Sequence, residues 1–136
     1  MANWLIKSEP ESYGWAHLVA EGHTEWTGVR NHSAAINLRA MAVGDEAFFY
    51  HSVSDKAVVG IVRVTRAWQP DGEDGKWASV QVEPVRALAQ PVTLAAIKAE
   101  PRLAGMALLR QSRLSVCPVS AEEWALVVAM GGGAAG

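Results

Sequence analysis

The chain has one cysteine, Cys117, in 136 residues. No internal disulfide is possible, and a reducing compartment is expected. Cys117 precedes Pro118 in an apolar run, so it reads as a packed small hydrophobe rather than a reactive thiol. A basic excess is also missing. Twelve Lys and Arg face 14 Asp and Glu, giving a net charge of −2 and a pI near 6.1. Proteins that coat long nucleic acid neutralise many phosphates, and this chain lacks the cations for that. A protein that grips one base in a pocket is not excluded. No apolar run approaches the roughly 20 residues that span a bilayer. No signal peptide is visible, because Met1-Ala2-Asn3-Trp4 passes straight into an apolar, strand-like segment. The expectation is a soluble cytoplasmic protein without a membrane partner.

Metal and phosphate motifs are absent as well. His17, His23, His32 and His51 make neither an HExxH nor a C-x-x-C pattern. There is no GxGxxG and no P-loop, so neither a metal nor a cofactor is expected. Ser8, Ser52, Ser115, His51 and Glu9 include the residue types of a catalytic triad. No nucleophile elbow surrounds any of these serines, and triads are recognised by geometry rather than composition.

What is present is the material for a core. Half of the residues are hydrophobic, and a chain of this length buries about two thirds of its unfolded surface. One domain over residues 1–130 is expected, with 131–136 a flexible Gly/Ala tail that has nothing to pack. Ala2 to Lys7 reads as a strand broken by Pro10. Ser12 is placed to cap a helix with Trp15, Leu18 and Val19 on one face, ended by Glu21-Gly22. Ser33 to Met41 reads as a second helix, and Gly44-Asp45 as a turn. Strands follow at Glu46–Ser52, Val58–Ala67 and Lys76–Val85, the last two alternating apolar and polar. Pro84 marks an edge or a bulge. The acidic, Gly-rich segment from Gln69 to Gly75 reads as a solvated hairpin loop. Thr93 caps a short helix, Arg102 to Leu109 is helical or turn-like, and Leu114 to Val119 is a strand. Ser120-Ala121-Glu122-Glu123 is a capping box that opens a last helix burying Trp124, Val127 and Val128. Short helices around about five strands indicate a small, closed or nearly closed mixed barrel.

The most informative words are polar and lie off these periodic segments. Trp26-Thr27-Gly28-Val29-Arg30-Asn31 reads as a loop. It combines an aromatic face, a glycine for close backbone approach and two planar hydrogen-bonding groups. Two readings stand: a binding loop for a planar polar ring, or a core plug at Trp26 beside a surface charge at Arg30. Three strand ends turn polar in a similar way: Lys7-Ser8-Glu9-Pro10, Phe48-Phe49-Tyr50-His51-Ser52 and Arg113-Leu114-Ser115. Converging at one mouth, they would supply donors and acceptors for a heterocycle's edge. Otherwise they are strand ends meeting water.

Together these words resemble the EVE domain family of the PUA-like superfamily. Asn3-Trp4-Leu5-Ile6-Lys7-Ser8-Glu9-Pro10, the Trp26 to Asn31 word, Val43-Gly44-Asp45, Phe48 to Ser52, Val59-Gly60-Ile61 and Arg113-Leu114-Ser115-Val116 occur in the family's order. The resemblance covers the chain to about Met130 and is similar to bacterial stand-alone EVE proteins. It implies an α+β fold: a PUA-like mixed β pseudo-barrel of five to six strands with short flanking helices and a central cleft. It also implies a relationship to YTH domains, which read methylated adenine in RNA.

The resemblance further implies a monomeric, non-catalytic reader of a modified base, chiefly modified cytosine in DNA, with modified RNA as the other partner. Carried over, Trp26 is a pocket wall. Asn31, Ser8, His51, Ser52 and Ser115 line its polar side, with Val29 and Leu114 beside them. Lys7, Arg30 and Arg113 meet phosphate or fix the wall, while Glu9 and Tyr50 support it. The segment from Pro70 to Gly75 departs from the pattern, being short and acidic. The rival readings are an enzyme acting on a modified nucleobase or nucleoside, with His51 or Glu9 as its base, and a protein-interaction module.

Overall fold

The structure, a computed structural model, describes residues 2–132. Among these, no helix is long and apolar enough to cross a membrane. The strands are β1 (Asn3–Ser8), β2 (Thr24–Trp26), β3 (Glu46–His51), β4 (Ala57–Pro70), β5 (Ala78–Thr93) and β6 (Val116–Val119). They form one sheet in the order β2-β5-β4-β3-β1-β6. The parallel pair β1/β3 lies near its middle, and every other pairing is antiparallel. Parallel pairing requires a long crossover. Here it consists of the helices α1 (Pro10–Tyr13) and α2 (Trp15–Glu21), then β2, then α3 (His32–Ala40). The helices α4 (Leu94–Ala99), α5 (Ala107–Arg110) and α6 (Ala121–Met130), with a 3-10 turn at Pro101–Leu103, complete the flanks. This is the expected mixed pseudo-barrel, with six strands.

Leu5, Ile6, Phe48 and Phe49 are fully or almost fully buried. Each such side chain stabilises the fold by about 1.5–3 kcal/mol. Ala47 to Tyr50 is buried on both faces, as expected of a strand in a parallel pair covered on both sides. Trp124 of α6 stacks on Phe48 at 3.9 Å. The capping box is formed: Ser120 Oγ accepts from Glu123 N, and Glu123 Oε1 accepts from Ser120 N. The Val43-Gly44-Asp45 word has a structural use. Asp45 is buried and accepts from Trp4 Nε1 at 3.1 Å and from Ala42 N at 3.0 Å, tying β1 to the turn before β3. Gly60 is needed where Trp15 crosses β4, since a Cβ there would sit 2.5 Å from the indole.

Several sequence expectations are corrected. Ser12 caps nothing; it lies inside α1, and α2 begins after Gly14, whose N–H donates to His17 Nδ1. Val19 faces solvent, while Leu18 of the same helix is buried. Trp26 ends a strand rather than belonging to a loop, because β2 pairs with Val80 to Val82 of β5. β5 continues to Thr93 rather than stopping at Val85. Pro84 does mark a bulge: Ile61 pairs with Arg86 and Val62 with Pro84, leaving Val85 over. Gly131 is buried against Leu88, and its carbonyl accepts from Gln90 N, so the tail expectation does not hold there. The expected tail beyond Gly132 lies outside the described residues.

Candidate functional site

The β1 end, α1 and the β2 end border an open cavity of about 590 Å³, within the range of small-molecule sites. Lys7, Ser8 and Glu9, then Ser12 and Tyr13, residues 24–30 and Ser115 line it. Pro10 produces this arrangement. It ends β1 and starts α1, which turns Tyr13 back over the strand end. Ser8 Oγ then donates to the Tyr13 carbonyl at 2.5 Å.

Trp26 lines the cavity but is only 9% exposed. Its ring meets Tyr13 and Phe49 edge-on, at 6.3 and 5.7 Å. Both readings of Trp26 therefore describe one residue: it is a core plug whose remaining surface is cavity wall. Tyr13 is the more exposed aromatic of the pair. Its ring stacks on His17, and its hydroxyl donates to Glu21.

The rim from residue 27 to 31 is clamped. Asp71 Oδ2 accepts from Gly28 N at 2.9 Å and from Arg30 Nη1 at 3.0 Å. Arg30 Nη1 also donates to the Val29 carbonyl, and its guanidinium lies 5.5 Å from the centre of the Trp77 ring. The Gly28 N–H, followed by Arg30, holds the Asp71 carboxyl below the usual carboxylate range. The acidic hairpin segment is thus partly a tether rather than solvated chain. Glu25 belongs to the rim, but Ser79 Oγ and Arg66 Nη2 hold its carboxylate at 2.9 and 3.3 Å. Strand alternation places that side chain opposite Trp26.

Seven of the expected site residues surround this cavity: Lys7, Ser8, Glu9, Trp26, Val29, Arg30 and Ser115. The others lie apart from it. Asn31 is the N-cap of α3, where its Oδ1 accepts from Ala34 N. With Leu114 and Arg113 it borders a neighbouring cleft of about 290 Å³. Tyr50 and Ser52 border another, of about 270 Å³. His51 faces α2: its Nε2 accepts from Trp15 N at 3.1 Å, and its Nδ1 lies 2.9 Å from Asp55. Ser12, Tyr13 and Thr24 line the cavity without having been singled out. The signal for Ser12 and Tyr13 was the Pro10 break, which had to turn the chain somewhere, whereas Thr24 is placed by the pairing of β2 with β5.

Cys117 is buried, its Sγ donates to the Leu114 carbonyl, and burial pushes its thiol up. Among the described residues, no three His, Cys, Asp or Glu side chains converge as metal ligands.

The chain matches the EVE domain family over residues 2–130. It belongs to that family. Among solved structures, this EVE domain is similar to a Rhodopseudomonas palustris protein, with 53% identity over 97% of this chain and 94% of the other and a TM-score of 0.93. Human thymocyte nuclear protein 1 is 31% identical over 95% of this chain and 73% of its own length. A structure of human THYN1 in complex with 5-methylcytosine-containing DNA aligns at 30% identity over 98% of this chain and 99% of that one, with a TM-score of 0.89. An ASCH protein from Zymomonas mobilis, at 13% identity and a TM-score of 0.56, shares the PUA-like fold alone.

Proposed function

We propose that this EVE domain is a non-catalytic module that binds modified cytosine in DNA, taking the base into the cavity beside Trp26 and Tyr13. The observation that carries the reading is the likeness to the human THYN1 complex with 5-methylcytosine DNA. The cavity's chemistry is compatible with it. Glu9 borders the cavity, and no hydrogen bond to its carboxylate is seen among the described residues, so it offers the acceptor that a cytosine amino group needs. Ser12, Thr24 and Ser115 bring hydroxyls for the ring nitrogen and carbonyl. His51, one of the two bases that the nucleobase-processing reading names beside Glu9, is engaged with Trp15 N and Asp55 instead.

Energetics limit what the cavity achieves. Stacking contributes about 1–3 kcal/mol per base, and extruding a base from a duplex costs a few kcal/mol. Net affinity must therefore come from edge hydrogen bonds and phosphate contacts. Burying one methyl group is worth about 0.8 kcal/mol, roughly fourfold by the rule that a factor of ten needs about 1.4 kcal/mol. A stronger preference requires a close fit, or polar groups left unpaired by the wrong base.

Fluorescence anisotropy with duplexes carrying cytosine, 5-methylcytosine or 5-hydroxymethylcytosine tests the reading, with matched RNA as a further arm. A modified DNA duplex should bind at least about fourfold more tightly than its plain form. Equal binding of all DNA forms, or preference for RNA alone, would overturn it.

A further inference from the structure

The cleft of about 270 Å³ shares Lys7 with the base cavity. Its polar lining comes from Lys7, Lys56, Tyr50, Ser52 and Ser112, and no carboxylate lines it. Lys7 Nζ donates to the Ser112 carbonyl at 2.9 Å, which leaves two of its three protons. Lys56 is exposed and makes no ion pair among the described residues. Tyr50 is only 4% exposed, and no partner for its hydroxyl is seen among the described residues. The hydroxyl oxygen is not sealed off with the ring, so it is free to meet a ligand in the cleft. Burial pushes the phenol up, which keeps the O–H a donor.

The backbone points to the same place. Among the described residues, Val53 (φ 70°) and Lys56 (φ 48°) are the non-glycine positions with positive φ. Both border this cleft. A β-branched residue held there is an outlier, and such strain collects at functional sites.

We propose that this cleft binds a backbone phosphate of the same DNA strand whose base enters the neighbouring cavity, with Lys56, Lys7 and the Tyr50 hydroxyl as donors. The inference rests on the base-binding reading above and adds a second site to it. Two ammonium groups and a phenol with no acid among them suit one phosphodiester. Leu94 and Leu108 give its sugar an apolar bed.

Anisotropy over a salt series tests it, using plain and methylated oligonucleotides with the full chain, Lys56→Ala and Tyr50→Phe. Lys56→Ala should bind both oligonucleotides several-fold more weakly, with a salt slope shallower by about 0.7–0.9. Tyr50→Phe should weaken both about tenfold, the scale of a lost hydrogen bond to a charged group, and leave the slope alone because no charge is removed. Both variants should melt with the parent and keep its methyl preference. Parent-like affinity and slope in both variants would overturn the phosphate site while leaving the base reading intact. A parent that binds plain and methylated DNA alike would sink the base reading, with the slope change in Lys56→Ala still deciding the phosphate site. Failure of every oligonucleotide to bind would remove both.

Discussion

The rim at residues 27–31 and the turn at residues 52–56 make opposite use of polar chemistry. The rim is rich in recognition groups, and the fold already engages them. Arg30 and the Gly28 N–H meet Asp71, and Asn31 caps α3. Beyond Ser52 the turn carries no motif, yet it sits beside an unpartnered Tyr50 hydroxyl and an unpaired Lys56 on a backbone with two left-handed non-glycine residues. Groups that satisfy one another organise a wall, whereas groups left unsatisfied are free to meet a ligand. Residue type alone does not separate these cases, because a guanidinium aimed at Asp71 and one aimed at phosphate are the same side chain.

Three measurements bear on this contrast. The largest effect is expected from Trp26→Ala. Removing so buried an indole should cost about 3–5 kcal/mol, read as a lower midpoint in chemical denaturation. Trp26→Phe should cost less and is the better variant for binding studies. A Trp26→Ala protein as stable as the parent would mean the ring is a free stacking platform rather than a core plug.

The rim clamp comes next. Asp71→Ala removes the acceptor for two donors, one of them charged, and should cost about 1–2 kcal/mol. Asp71→Asn, which keeps an acceptor for the Gly28 N–H, should cost less. The pH dependence has a definite sign. The folded value of Asp71 is depressed, so the clamp's stabilisation is complete above the ordinary carboxylate value near 4. It is lost as pH falls from there through the lower folded value. Denaturation midpoints for parent and Asp71→Ala should therefore converge in acid. A gap that stays constant to pH 2 would show that the charge is irrelevant.

Smallest is Val53→Gly. Glycine adopts positive φ without the Cβ clash, so this change should stabilise the chain by up to about 1 kcal/mol, the local strain less glycine's entropic cost. A loss of stability would mean that the turn is not strained, and the contrast between the two regions would weaken.

Much of the fold was legible in local patterns. The capping box at Ser120, the Thr93 cap and the bulge signal at Pro84 are local, and each is present. The differences between expectation and placement have specific causes. Asn31 is among the best N-cap residues, yet beside a tryptophan and an arginine it drew attention as a binding group. His51 ends β3 and faces Trp15 and Asp55, while Ser52 begins the following turn and borders a different cleft. Neither joins Ser8 in the base cavity. Asp71 looked solvated because its partners lie 41 and 43 residues away.

The amino-acid order alone settled most of the strands and helices, since side-chain periods and caps act over a few residues, but not β2 or the far half of β5, which exist through their pairing. It also carried the family words that place the chain among EVE domains. Which polar groups meet in the cavity was decided only by tertiary structure. That choice depends on strand register, and a shift of one residue would turn every side chain to the other face. Register here is set by the parallel β1/β3 pair and the bulged β4/β5 pair, contacts made between residues far apart in the chain.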